Sequence, residues 1–147
     1  QRNFAAEMTA YLEHANVTVA DIDATIEFLK AIEPGFTVRR DETPQGSYRW
    51  VHIGSDTCYI ALQQPHLDSK PDRALQSYVN FGVNHLAWVV SDLNAVIARL
   101  RAKGYRKGIE APRESHRKRA YYHDTAGFEW ELVEYLSDKP EQRNLYE

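Results

Sequence analysis

Two histidines and a glutamate, His14, His85 and Glu131, are the residues of this 147-residue chain whose types and surroundings suit shared chemistry. Two neutral imidazole nitrogens and one carboxylate oxygen form a donor set for a divalent ion, Fe²⁺, Mn²⁺, Ni²⁺, Co²⁺ or Zn²⁺. Three protein ligands leave positions open to water, oxygen or substrate, which a catalytic ion needs and a structural one does not. The reason to group these three is an internal repeat. Setting HANVTVADIDATIEFL, from His14, against HLAWVVSDLNAVIARL, from His85, matches the histidines together with Val19/Val90, Asp21/Asp92, Ala24/Ala95, Ile26/Ile97 and Leu29/Leu100, without a gap. A shared helical period explains the isoleucines and leucines. It does not explain matched histidines at the same distance upstream of a matched aspartate, so the chain reads as a duplication.

Each copy must then supply the elements that position its histidine. Over residues 11–19, Ala15, Val17 and Val19 alternate with Leu12, His14, Asn16 and Thr18, the two-residue period of a strand. Asp21 in the first copy, and Ser91 or Asp92 in the second, are suited to cap helices whose apolar stripes are Ile22, Ile26, Leu29 and Leu93, Ile97, Leu100. Pro34-Gly35 and Gly104 are the expected stops. Strand candidates follow at residues 36–41, 48–53 and 58–63, and again at 105–109, 119–124 and 128–135. The predicted fold class is α+β: two tandem βαβββ modules forming a curved, partly open mixed β-sheet cavity with the helices outside. The expected organisation, within one structural domain, is an N-terminal extension (1–10), a first module (11–64), a connector (65–80), a second module (81–136) and a charged tail (137–147).

Strand parity then selects a face. If Val17, Val19, Trp88 and Val90 pack under the helices, His14 and His85 point into the hollow. On the last strand Phe128, Trp130 and Leu132 form the apolar set, which turns Glu129, Glu131 and Val133 toward the histidines. Aligning YIAL (59–62) with EWEL (129–132) puts Ala61 opposite Glu131, so the symmetric fourth ligand is missing. Tyr121 shares parity with Arg119 and His123, and is a candidate to donate a hydrogen bond or act as an acid, with Glu129 or His123 moving a proton. Asn16, Tyr59, Ala61, Gln63 and Arg119 are candidates to line a substrate site. His52 faces either cavity or solvent. The loop with Arg113, His116, Arg117, Lys118 and Arg119 reads as a solvated loop, with attraction of an anionic substrate as the alternative.

Composition sets outer bounds. With 43% hydrophobic and 27% charged residues and a net charge of −3, the chain is ordinary for a globular domain and offers no basic surface for nucleic acid. No apolar run is long enough to cross a bilayer, and the N-terminus lacks a basic region followed by an apolar one. Cys58 is the single cysteine and cannot form an intramolecular bridge, so a cytoplasmic location is expected.

The segments LEHANVTVADIDATIEFL, GVNHLAWVVSDLNAVIARLRAKG and YYHDTAGFEWELVEY resemble the vicinal oxygen chelate superfamily over about residues 11–135. That superfamily includes glyoxalase I, extradiol dioxygenases, fosfomycin-resistance enzymes, methylmalonyl-CoA epimerase and metal-free bleomycin-binding proteins. The last segment is similar to the family's Y-x-x-D-P-D-G-x-x-x-E-L ending, with Thr125-Ala126 replacing Pro-Asp. The resemblance implies a metal-dependent enzyme that chelates a small substrate through neighbouring oxygens, as lyase, isomerase, transferase or dioxygenase. Its alternative is a metal-free sequestering protein. Glyoxalase I and the epimerase carry a fourth ligand where Ala61 stands. Extradiol dioxygenases share the triad and a tyrosine at the position of Tyr121, but carry a further histidine where Cys58 and Tyr59 stand. Fosfomycin-resistance thiol transferases have a Ser-Glu-Gly-Asp-Ser loop that residues 114–118 replace. The resemblance also implies a homodimer, with the triad closed within one chain or across two.

Overall fold

The helix of each repeat copy begins where an aspartate can hold its first amides. Asp21 accepts the amide of Ala24 and Asp92 that of Ala95, each at 3.0 Å, so the two copies open their helices by one device. The computed structural model describes residues 8–72 and 76–146; parts of the N-terminal extension and connector lie outside the described residues. The first module runs β1 (His14–Thr18), α1 (Ile22–Ile32), β2 (Thr37–Glu42), β3 (Trp50–Gly54) and β4 (Tyr59–Gln63). The second repeats it with β5 (His85–Val89), α2 (Leu93–Ala102), β6 (Arg106–Lys107), β7 (Arg117–His123) and β8 (Glu129–Tyr135), and a short helix α3 (Pro140–Arg143) follows.

Each module forms a four-stranded mixed sheet, in the orders β1-β4-β3-β2 and β5-β8-β7-β6. The histidine-bearing strand lies at an edge and pairs in parallel with the last strand of its own module. The register sets His14 beside Tyr59 and Asn16 beside Ala61, and correspondingly His85 beside Glu129 and Ala87 beside Glu131. The α+β two-module fold read from the repeat is thus the fold observed.

Alternation divides each sheet into two faces. Val51, Ile53, Ile60 and Leu62 of the first sheet, and Ala120, Tyr122, Trp130 and Leu132 of the second, enter one apolar core with Phe28, Leu29 and Ile32 of α1 and Leu93, Val96 and Leu100 of α2. The helices cover one face of each sheet and pack on one another. The opposite faces carry His14 with Tyr59 and Ala61, and His85 with Glu129 and Glu131.

Strand boundaries shift by one to three residues from the sequence reading, and at β6 and β7 the structure shows the cause. β6 spans only two residues instead of 105–109. Beyond it the Gly108 amide donates to the Tyr121 carbonyl at 2.7 Å, and a Cβ on Gly108 would come within 2.9 Å of the Tyr121 Cβ. The chain thus passes too close to β7 there for an ordinary side chain. β7 starts earlier, at Arg117, because the Leu136 amide bonds the His116 carbonyl and extends the ladder with β8.

Candidate metal centre

The face of the second sheet opposite the helices gathers most of the chemistry-bearing side chains. β5 brings His85 in at the sheet edge, and β8 brings Glu131 from the adjacent strand. Nε2 of His85 lies 3.0 Å from Oε2 of Glu131. Two donors each about 2.1 Å from one ion, at right angles around it, stand about 3.0 Å apart, so this pair fits two neighbouring ligand positions. Glu131 is 8% exposed, and a carboxylate so placed needs a counter-charge. Nη1 of Arg119 stands 3.4 Å from its Oε1 and donates to the Tyr121 hydroxyl at 3.1 Å. The Tyr121 ring meets the His85 ring edge-on at 5.6 Å. Burial, and then the charge of Glu131, push the Tyr121 hydroxyl above its ordinary pKa and keep its proton in place.

Glu129, 6% exposed, occupies the other side of His85. Its Oε2 lies 3.8 Å from Nε2 of His123, and its Oε1 accepts the Tyr78 hydroxyl at 2.5 Å. That hydrogen bond, with burial second, raises the Tyr78 pKa to about 12. The Tyr78 oxygen is also 3.0 Å from Nδ1 of His85. Tyr78 lies in the connector, outside both repeat copies and outside any strand, so neither the alignment nor parity could point to it.

The first sheet presents a different group. His14 stacks on Tyr59 with ring centroids 4.6 Å apart, and its Nδ1 lies 3.0 Å from Oε1 of Glu13. The same Glu13 oxygen accepts the Tyr59 hydroxyl at 3.1 Å. His52, which the sequence left between cavity and solvent, lies in this group with its ring 4.7 Å from Tyr59. Burial, and then the nearby His14 and Arg39, lower its pKa. Asn16, Ala61 and Gln63 follow along the β1/β4 ladder, where Thr18 pairs with Gln63.

One chain therefore brings His85, Glu131, Tyr121, Arg119, Glu129 and His123 together and holds His14 in a separate group with Glu13 and Tyr59. Among the described residues, no three His, Cys, Asp or Glu side chains form a group able to hold a metal. The edges of β1 and β5 border a small cavity of about 120 Å³, with His14 and Tyr59 on one side and Leu86 and Trp88 on the other. A larger cavity of about 350 Å³ lies between the end of α1 and β5, lined by Ile32, Phe36, Cys58 and Trp88, and contains none of the candidate ligands.

Around the start of β7 the structure pairs charges that the sequence left separate. Glu114 accepts Nε of Arg117 at 2.8 Å and Nη2 of Arg119 at 2.9 Å. The Arg117 bond, reinforced by Arg119, holds the Glu114 carboxyl at a pKa of about 2. Arg117 and Arg119, on β7, are thus paired with Glu114 of the preceding loop, and Arg119 also faces Glu131 and Tyr121.

The sequence profile of the Glyoxalase/Bleomycin resistance protein/Dioxygenase superfamily matches residues 13–122. Comparison with curated proteins gives no match. Among solved structures, a glyoxalase family protein from Bacillus cereus superposes with a TM-score of 0.73 at 17% identity, covering 90% of this chain and 99% of that one. A glyoxylase/bleomycin resistance protein/dioxygenase domain from Frankia sp. EAN1pec gives 0.69 at 15% identity, over 90% and 96%. A mutant of the fosfomycin resistance protein FosX from Listeria monocytogenes, complexed with Mn(II) and 1S,2S-dihydroxypropylphosphonic acid, gives 0.67 at 18% identity, over 94% and 100%. These likenesses establish the fold, and the profile, which spans most of the chain, establishes the kinship: the chain belongs to the Glyoxalase/Bleomycin resistance protein/Dioxygenase superfamily.

Proposed function

We propose that this chain is a divalent-metal-dependent enzyme acting on a small substrate held through oxygen atoms, with His14, His85 and Glu131 as the metal ligands. The observation that carries this reading is the His85 Nε2 to Glu131 Oε2 pair at 3.0 Å, with a counter-charged arginine beside it. The FosX relative complexed with Mn(II) supports a divalent ion in a protein of this fold. When bound, the ion would supply Lewis-acid polarisation of a substrate oxygen. The chain's own residues do the rest. Tyr121, held by Arg119, donates a hydrogen bond to the substrate oxygen, and the His123 and Glu129 pair takes up or returns a proton. Asn16, Tyr59, Ala61 and Gln63 form the facing wall from the first sheet.

His14 reaches this centre from a second copy of the chain in our reading. Its side-chain partners, Glu13 and Tyr59, both belong to its own module, and its side chain is 40% exposed. The exposed apolar residues Tyr11, Leu12, Phe81, Val83 and Val89 give a homodimer surface to bury.

Calorimetric titration with Mn²⁺, Fe²⁺, Ni²⁺ and Zn²⁺ tests the reading. Saturable binding that is lost in His85→Ala and kept in His66→Ala is expected. Absence of saturable binding for all four ions would overturn it and favour a metal-free protein that sequesters a small molecule. A screen of catechols, hemithioacetals of 2-oxoaldehydes and epoxides then assigns the reaction class.

A further inference from the structure

Strand β2 carries two arginines followed by two acids, and one of these charges is left over. Arg40 pairs with Glu42 at 2.7 Å, and Asp41 pairs with Arg49 at 2.9 Å. Arg39 stands where the β2/β3 register shifts between Val38 and Arg40, an irregularity of the kind that re-aims a side chain. Its guanidinium carbon lies 4.4 Å from the centroid of the Tyr59 ring, against which His14 stacks at 4.6 Å and His52 tilts at 4.7 Å. Among the described residues no carboxylate pairs with Arg39, and no protein acceptor takes its N–H groups. Glu13, the acid bonded to the Tyr59 hydroxyl at 3.1 Å, faces Nδ1 of His14 through the same oxygen at 3.0 Å.

We propose that Arg39, seated on Tyr59, binds an anionic group of the substrate, so that the small molecule chelated through oxygen atoms is an acid. The inference rests on the metal reading above and names the class of molecule which that centre takes. A guanidinium stays charged throughout the working pH range, and its planar fork of donors matches the edge of a carboxylate or phosphonate. The ring beneath it answers part of the charge and none of the donors. It also restricts how the side chain can lie, which lowers the ordering cost that an anion meets on binding.

The other arginines that could serve an anion near the candidate centre are engaged. Arg117 and Arg119 are both held by Glu114. On the first sheet, a single ring separates Arg39 from His14. A molecule with chelating oxygens at one end and an acid group one ring's width away therefore spans from the histidine to the cation. Both anchor points belong to the same module, so the span does not depend on whether the metal centre closes within one chain or across two.

The test uses the full chain freed of metal by chelator, with benzoate as the anionic probe and benzamide as its neutral counterpart of similar shape. Proton–nitrogen NMR is expected to show a saturable shift of the Arg39 Nε–H with benzoate and none with benzamide, and the benzoate affinity is expected to fall as salt is raised. Arg39→Met, which keeps much of the stem over Tyr59, is expected to weaken benzoate binding about tenfold, read from the ligand's own NMR signals, with the thermal midpoint unchanged. Arg40→Met, which removes the neighbour tied to Glu42, is expected to bind as wild type does. Equal benzoate binding in Arg39→Met and wild type, or benzamide bound as tightly as benzoate, overturns the proposal. Wild-type protein that binds no benzoate overturns it as well, and a weaker dimer in Arg39→Met would then give the cation to an acid of a second copy. Benzoate held through Arg39 in a protein that never binds Mn²⁺ upholds the anion site and removes the metal reading instead.

Discussion

Arg99, on the second helix, donates from Nε to the carbonyl of Ala31 at 2.7 Å, and from Nη2 to that of Ile32 at 2.9 Å. A cation at the carbonyl end of α1 satisfies groups that the helix itself cannot, and it does so across the junction between the modules. Arg99→Met, which keeps much of the stem, is expected to lower stability by about 1–3 kcal/mol. The measurement is urea unfolding followed by far-UV circular dichroism, and a midpoint equal to wild type would contradict this role.

Asp124 organises the turn that aligns β7 with β8. Its Oδ1 accepts the amides of Ala126 and Phe128, each at 3.0 Å, and its Oδ2 accepts the indole N–H of Trp130 at 3.1 Å. Asp124→Ala leaves a buried indole donor without a partner and is expected to cost about 2–4 kcal/mol. Chemical denaturation read by tryptophan fluorescence checks it. Mn²⁺ affinity should fall too, since Glu131 follows on the same strand.

If His14 comes from a second chain, two damaged proteins should repair one another. His14→Ala and His85→Ala are each expected to lose Mn²⁺ binding. After unfolding and refolding together, a mixed dimer carries one intact site and binding returns in part. A mixture that binds no more than its components places all three ligands in one chain, or outside any site.

Glu114 predicts an acid limb in stability. Its carboxyl is held at about 2, below the ordinary 4.5, so its contribution is fully present above pH 4.5 and is lost as pH falls toward 2. Allowing for solvent screening, the amount is about 2 kcal/mol. Glu114→Gln should lower stability near neutrality and flatten the decline between those pH values. Parallel pH profiles for variant and wild type would contradict it.

Tyr121→Phe is expected to keep Mn²⁺ binding and to lower turnover about a hundredfold on the substrate that the screen identifies, since it removes the hydroxyl and leaves the ring against His85. Equal turnover would remove Tyr121 from the reaction.

Much of this was readable along the chain because its signals are periodic. The matched histidines gave the duplication, and alternation placed Glu131 on the same face as His85 and Arg119 with Tyr121. The aspartate caps were readable for a similar reason, since a cap acts on amides two or three residues away. Tyr78 was not readable, because its position depends on a turn set by Ser77 and Asn84. Nor was the pairing around the start of β7, since composition counts the charges of Glu114, Arg117 and Arg119 without saying that they meet.

The sequence by itself determined the two modules, their element order and the face on which each candidate ligand lies, because strand parity and helix capping act over a few residues. Only the tertiary structure decided which side chains touch: His85 with Glu131, Tyr78 between His85 and Glu129, and His14 with Glu13 and Tyr59. Those contacts depend on sheet register, edge placement and the path of a connector, and such relations exist only once the chain has closed on itself.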